Sequence, residues 1–195
     1  MAYLQPTKTA TTGGIPVFQK VIETAQGGFS LDMTNLTEGE TIPAGSLVVF
    51  NEATRKAVIV KTATMQDAAT DSAVDYKVKK GHNIAVGDYL ARSEGGAAYA
   101  VTAIDTSNDD YDEITVGTTL GVALSAGDAL FISSATGASA AAVATAQGLL
   151  YEETVAQTDA PLSVVIRGTV YARRIPGVIA TQKAEMPNII FSESY

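Results

Sequence analysis

The chain has 195 residues, a net charge of −8 and an isoelectric point near 4.6. It contains no cysteine, no tryptophan and a single histidine, His82, which excludes disulfides, thiolate chemistry and a multi-histidine metal site within one chain. Hydrophobic residues make up 46% of it, but 31 are alanines, so the larger apolar side chains suffice for a folded yet lean core.

The acidic balance argues against nucleic acid or an anionic membrane surface as partner. There is no 18-residue apolar run, so no membrane span is expected. Met1-Ala-Tyr-Leu-Gln-Pro lacks the basic start and apolar stretch of a secretory signal.

Residues 1–20 hold Pro6, Thr7, Thr9, Thr11, Thr12, Gly13, Gly14 and Pro16. This reads as an extended N-terminal arm. Residues 21–195 read as a β body, with a division into two subdomains expected near 100–112. Runs rich in Val, Ile, Tyr and Thr, bounded by Gly, Asp, Asn or Ser, predict strands. They cover Gly45–Phe50, Ala57–Thr62, Tyr76–Val78, Ala97–Ile104, Glu113–Val116, Ala129–Ser133 and Leu162–Tyr171. Met65–Ala73 shows no apolar stripe. Ser139–Ala146 is alanine-rich but has no large anchor, and reads as a loop or short strand. One short C-terminal helix is predicted over Pro176–Glu185, with Pro176 in the first turn and Pro187 as the stop. The fold class is therefore mainly β, with short antiparallel strands in a barrel-like or sandwich body.

One pattern recurs three times: Ile42-Pro43-Ala44-Gly45-Ser46-Leu47-Val48, Ile84-Ala85-Val86-Gly87-Asp88-Tyr89-Leu90 and Leu124-Ser125-Ala126-Gly127-Asp128-Ala129-Leu130. Gly45, Gly87 and Gly127 supply a positive φ without steric cost. Ser46, Asp88 and Asp128 can bond the local backbone. The reading is a tight turn feeding a strand, structural in role, and more readily explained by recurrent turn chemistry than by a common structural origin.

Chemistry-bearing residues are sparse. His82, in Lys79-Lys80-Gly81-His82-Asn83, reads as a solvated turn residue. The run Asp105-Thr106-Ser107-Asn108-Asp109-Asp110-Tyr111-Asp112-Glu113 has alternating oxygens like a calcium loop, but Asp110 replaces the required glycine and Val116 the bidentate glutamate. It reads as a solvated hairpin tip, and no metal ligands or cofactor sites are assigned. Asp109 and Asp112 crowd one loop rather than flank a cleft, so no glycosidase pair is assigned. Arg173-Arg174 and Lys77-Val78-Lys79-Lys80 are too short for a nucleic-acid footprint and read as salt-bridge partners, including with an acidic neighbouring subunit. Gly13-Gly14, Gly27-Gly28 and Gly95-Gly96 lack the context of a phosphate loop. Tyr99, Tyr111 and Tyr151 are candidates to line a glycan site. Lys56, in Thr54-Arg55-Lys56-Ala57, is the nearest match to a carrier-domain lysine but lacks the flanking acid.

The stretch from Val101 to Tyr195 carries a resemblance through Asp112–Val116, Thr119–Leu130, Gly148–Val155, Ala160–Val170 and Pro187–Ser192. It resembles the head fibre and head decoration proteins of tailed bacteriophages, including prophages of Bacteroides-type gut bacteria. The string Ile42-Pro43-Ala44-Gly45-Ser46-Leu47 is similar to one in lambda-type decoration proteins. The resemblance implies a β-clip or β-tulip-like body and a virion protein on the capsid surface, synthesised in the bacterial cytoplasm. It further implies a homotrimer bound to the major capsid protein, with an N-terminal arm along the shell and no catalytic residues. It accommodates both a decoration cap and a fibre base. A carbohydrate-binding or adhesion module of a phage is the alternative function, and an enzyme is not expected.

Overall fold

The computed structural model describes residues 16–193. Short β-branched and aromatic runs cut by Gly and Asp give short strands. In chain order these begin with β1 Phe18–Thr24, β2 Phe29–Leu31, β3 Thr41–Ile42, β4 Leu47–Asn51 and β5 Lys56–Val60. There follow β6 Thr62–Thr64, β7 Asp75–Lys79, β8 Tyr89–Ala91, β9 Ala98–Asp105, β10 Tyr111–Val116 and β11 Ala129–Ser133. The last are β12 Gly148–Leu150, β13 Thr154–Val155, β14 Pro161–Leu162, β15 Val164–Tyr171 and β16 Ile189–Ser192. A 3-10 turn, Ala172–Arg174, and one α-helix, α1 Ala180–Glu185, lie between the last two strands. The chain is mainly β with one short C-terminal helix.

Two large sheets organise these strands. The first runs β1-β15-β12-β4-β5-β2-β14, with β16 also paired to β15. The second runs β6-β11-β8-β9-β10-β7. Its end strands meet, because Met65 bridges Val78 and the Gln66 N–H donates to the Lys77 carbonyl at 2.8 Å. The second sheet therefore curls into a small barrel. Period-two alternation puts Asp112, Ile114 and Val116 of β10 inward. Ile114 and Val116 join Met65, Tyr76, Val78, Leu90, Val101 and Leu130 in the barrel core.

The first sheet is covered on both faces at its centre. Leu47 and Leu149 enter one apolar cluster, while their neighbours Val48 and Leu150 enter another. That is why β12 is buried at every position and reads as a continuous apolar run rather than an alternation. Most pairings are antiparallel, but β2–β5 and β15–β16 are parallel.

The chain changes sheets at a single residue, Lys61, between Val60 of β5 and Thr62 of β6. It returns after β11, and the Gln147 N–H donates to the Val48 carbonyl at 3.0 Å. Residues 100–112 lie within the β9–β10 hairpin of one sheet, so the structural boundary falls at Lys61 and in 134–147 instead. Of the expected arm, residues 1–15 lie outside the described residues. From Phe18 onward the chain is strand, paired to Val170 of β15.

The C-terminal helix is shorter than the sequence predicts. Ile175, Gly177 and Ile179 are buried while Pro176 and Val178 are only partly so. This period of two belongs to an extended strap lying on a surface, not to a helix. Gly177 fixes the fit, since a Cβ there would meet the Ala63 carbonyl at 2.6 Å and the Ala129 Cβ at 2.8 Å. Helix begins only at Ala180, where the buried Gln182 Oε1 accepts the Ile179 N–H at 3.2 Å.

Candidate functional site

The three recurrent turns share one geometry. Gly45, Gly87 and Gly127 have φ of 83°, 97° and 89°, the left-handed region that glycine tolerates. The N–H of the following residue returns to a carbonyl three residues back: Ser46 to Pro43, Asp88 to Ala85, and Asp128 to Ser125. Each glycine N–H donates outward, to Leu150, Val101 and Met65 respectively. Asp88 and Asp128 each accept the N–H of the first turn residue at 2.8 Å. In the first copy that residue is Pro43, which has no N–H to give. There the fourth position is Ser46, whose hydroxyl donates to the Pro43 carbonyl at 2.8 Å. The substitution pattern of the repeat thus follows its hydrogen bonding.

Both turn carboxylates also hold a cation at the end of a neighbouring strand. Asp88 pairs with Lys61 at 2.9 Å, and Asp128 with Arg92 at 3.0 Å. Lys61 is the residue that links the sheets, and its side chain is only 5% exposed.

His82 is not solvated. Its side chain is 6% exposed, and the next two residues, Asn83 and Ile84, are buried with it. Nδ1 accepts the Ile84 N–H at 3.2 Å, which leaves the proton of the neutral ring on Nε2. Nε2 lies 3.4 Å from Asp112 Oδ2 yet makes no hydrogen bond, so the contact is electrostatic. Burial lowers the His82 pKa, opposed by the charges of Asp112 and Glu40 and assisted by those of Lys80 and Lys61. Asn83, next to it, donates to Glu40 Oε1 at 2.7 Å and to the Thr41 carbonyl at 3.0 Å.

The acidic run divides into a buried and an exposed part. Asp112 is inward and accepts from Lys80 at 2.7 Å. Asp105–Asp110 form an exposed tip between β9 and β10. There Asp105 and Asn108 cap their own turns by accepting the N–H groups of Ser107 and Asp110, each at 2.9 Å. The Ser107 backbone bond holds the Asp105 carboxyl below its ordinary range. Asp109 and Asp112 do not face one another across a cleft. Among the described residues, no three His, Asp or Glu side chains converge as a metal site would require.

The three tyrosines are scattered. Tyr99 packs against the barrel core, Tyr111 lies under the Lys77 ammonium at 4.8 Å, and Tyr151 stands 5.8 Å from Phe18. Lys56 starts β5, is paired to Asn51 across the hairpin, and forms an ion pair with Asp159.

What the sequence does not reveal is a basic cleft. The strap from Ala172 to Lys183 crosses from β15 onto the barrel and leaves an open cleft of about 920 Å³. Lys79, Arg92, Arg173, Arg174 and Lys183 line it, with Asp128 and Glu193 as its only carboxylates among the described residues. A side pocket of about 160 Å³ shares Lys79, Arg173 and Arg174 and adds Lys80 and His82. Together these walls carry four more positive than negative charges in a chain of net charge −8. Glu193 stands 3.6 Å from Arg173 and 3.9 Å from Lys183. Arg174 donates to the Pro16 carbonyl and stacks on Tyr171.

No family model matches the chain, and no curated protein or solved structure is significantly similar to it.

The cleft draws its cations from four distant parts of the sequence. The Lys77–Lys80 cluster and the Arg173-Arg174 pair were visible individually. Their convergence with Arg92 and Lys183 depends on the strap, which the sequence presents as helix. Among the described residues no helix is long and apolar enough to cross a membrane.

Proposed function

We propose that this chain is a structural protein of a tailed-phage virion. It decorates the capsid surface, where it stabilises the head lattice or forms the base of a head fibre. Its partner is the major capsid protein and its assembled form is a homotrimer. The observation that carries this reading is the use of the repeated turns as joints. Asp88 and Asp128 each close a turn and also clamp a cation next to a neighbouring strand. The Asp88–Lys61 contact stiffens the crossing between the two sheets and the Asp128–Arg92 contact ties the end of β8 to the start of β11 within the barrel, as a part that transmits load between neighbours requires. The segments that resemble decoration proteins, Thr119–Leu130 and Ala160–Val170, supply β15 and the turn before β11.

Cosedimentation tests the proposal. Purified protein mixed with undecorated tailed-phage capsids of a Bacteroides-type host should bind to a fixed stoichiometry and raise the temperature at which the capsids rupture. Absence of saturable binding overturns the reading.

A glycan-binding module has one observation in its favour. Tyr111 opens with Asp105, Ser107, Asn108 and Glu113 onto a shallow hollow of about 200 Å³, an aromatic ring among polar groups of the kind sugars use. A glycan array with reproducible hits, lost in Tyr111→Ala, would select this reading instead.

A further inference from the structure

We infer that the basic cleft receives the acidic β9–β10 tip of a second copy of this chain. The inference does not depend on the virion reading, since it concerns only how copies meet.

The first argument is charge. The cleft walls hold Lys79, Arg92, Arg173, Arg174 and Lys183 against Asp128 and Glu193. The Lys79 ammonium has no ion-pair partner among the described residues. A concentration of cations in an otherwise acidic chain raises the local energy of the monomer and attracts an anionic surface.

The second argument is the tip. Asp105, Asp109 and Asp110 are all exposed, and the Asp109 and Asp110 carboxylates bond nothing among the described residues. The two side-chain-capped turns at Asp105 and Asn108 fix the backbone between them. A preorganised loop loses little conformational entropy on docking.

The third is connectivity. The tip is held to its own barrel by the Glu113–Asp105 register and by Lys80, which donates to the Thr106 carbonyl at 3.0 Å. Lys79, at the edge of the cleft, pairs across the strands with Tyr111 at the base of the tip, so a tip fixed in this hairpin cannot fold back into the cleft beside it, and the cleft it enters belongs to another copy. Tip and cleft are adjoining but different surfaces, so the contact is head-to-tail, and repetition of it closes a ring or extends a chain. The joining charges lie at the surface, so the contact is salt-sensitive: the screening length is about 10 Å at 0.1 M salt and about 3 Å at 1 M.

Sedimentation velocity on the full chain tests this, comparing about 50 mM with about 500 mM salt. Self-association is expected, weakening at high salt. Asp109→Lys with Asp110→Lys should weaken it at least about tenfold, and so should Lys79→Glu with Arg173→Glu. These side chains are exposed, so unchanged thermal unfolding serves as the folding control. A chain carrying all four changes should associate like the original, because the charges are exchanged. Monomer under all conditions overturns the inference. So does association that neither pair of changes weakens, or that the cleft pair weakens and the tip pair does not, which would assign the cleft to a different acidic partner. Failure of the four-fold variant to recover also overturns it.

Discussion

A single oxygen of Asp88 accepts the Lys61 ammonium at 2.9 Å and the Ala85 N–H at 2.8 Å. One carboxylate oxygen thus closes a barrel turn and neutralises the residue at which the chain changes sheets. Removing either partner has unequal effects. Asp88→Ala leaves Lys61 as an uncompensated buried charge and should cost about 3–5 kcal/mol. Lys61→Met leaves Asp88 bonded to its turn and partly solvated, and should cost less than half as much. Urea unfolding of the two single variants and the double variant measures this. The double variant should be more stable than the sum of the single effects implies.

The recurrent glycines should not respond alike. An added Cβ at Gly45 would lie 2.2 Å from Ile175 Cγ2, whereas at Gly87 and Gly127 it would meet nothing within 4 Å. Gly87→Ala and Gly127→Ala should each cost about 1–2 kcal/mol, the strain of a left-handed alanine. Gly45→Ala adds a clash with a core residue and should cost about 1–3 kcal/mol more. Equal losses at all three sites in thermal unfolding would contradict this ranking.

Stability should fall as the pH drops through about 6.5, the unfolded imidazole value, and His82 should be the cause. Burial holds the folded-state pKa below the ordinary imidazole value despite Asp112 and Glu40. The unfolded chain, near pKa 6.5, therefore binds a proton first as the pH drops. Stability is complete above that value and declines as pH falls through it toward the lower folded-state value. His82→Asn preserves an acceptor for the Ile84 N–H and should flatten the melting-temperature profile in this window. No other histidine contributes.

The strap offers a fourth test. Gly177→Ala drives a methyl against the Ala63 carbonyl and Ala129. It should cost about 1–3 kcal/mol and raise amide hydrogen exchange in residues 178–186 more than in the barrel strands. Uniform exchange across the chain would show that the strap is not separately anchored.

Much of this architecture was legible in the sequence. Ala129–Ser133 appears at its predicted bounds, and the other predicted runs became strands within a few residues of theirs. The three glycine turns were legible because a left-handed backbone leaves a local mark. Strands β2, β3, β13 and β14, of two or three residues, are too short to show a period. Their existence rests on distant partners, such as Phe29 with Leu162. The strap escapes local reading for a related reason. Pro176 is a local helix-start signal, and burial of Ile175, Gly177 and Ile179 against the barrel overrode it. The burial of His82 is not legible locally, because the groups that enclose it come from distant sequence: Asp112 approaches it from 30 residues away. The cleft was hidden because opposing charges average along a chain, while the fold sorts them by position.

The manner in which the barrel joins the first sheet has a further consequence. Its entry strand and its exit strand lie side by side, with Thr62 paired to Phe131. Both covalent connections therefore leave from one place, as in a domain inserted into a loop. The barrel is a cassette on a double stem. Lineages could exchange or lengthen it between Val60 and Ala146 while the platform beneath kept its own strand order. Diversity at the outer end and constancy at the base would then be properties of one chain's topology.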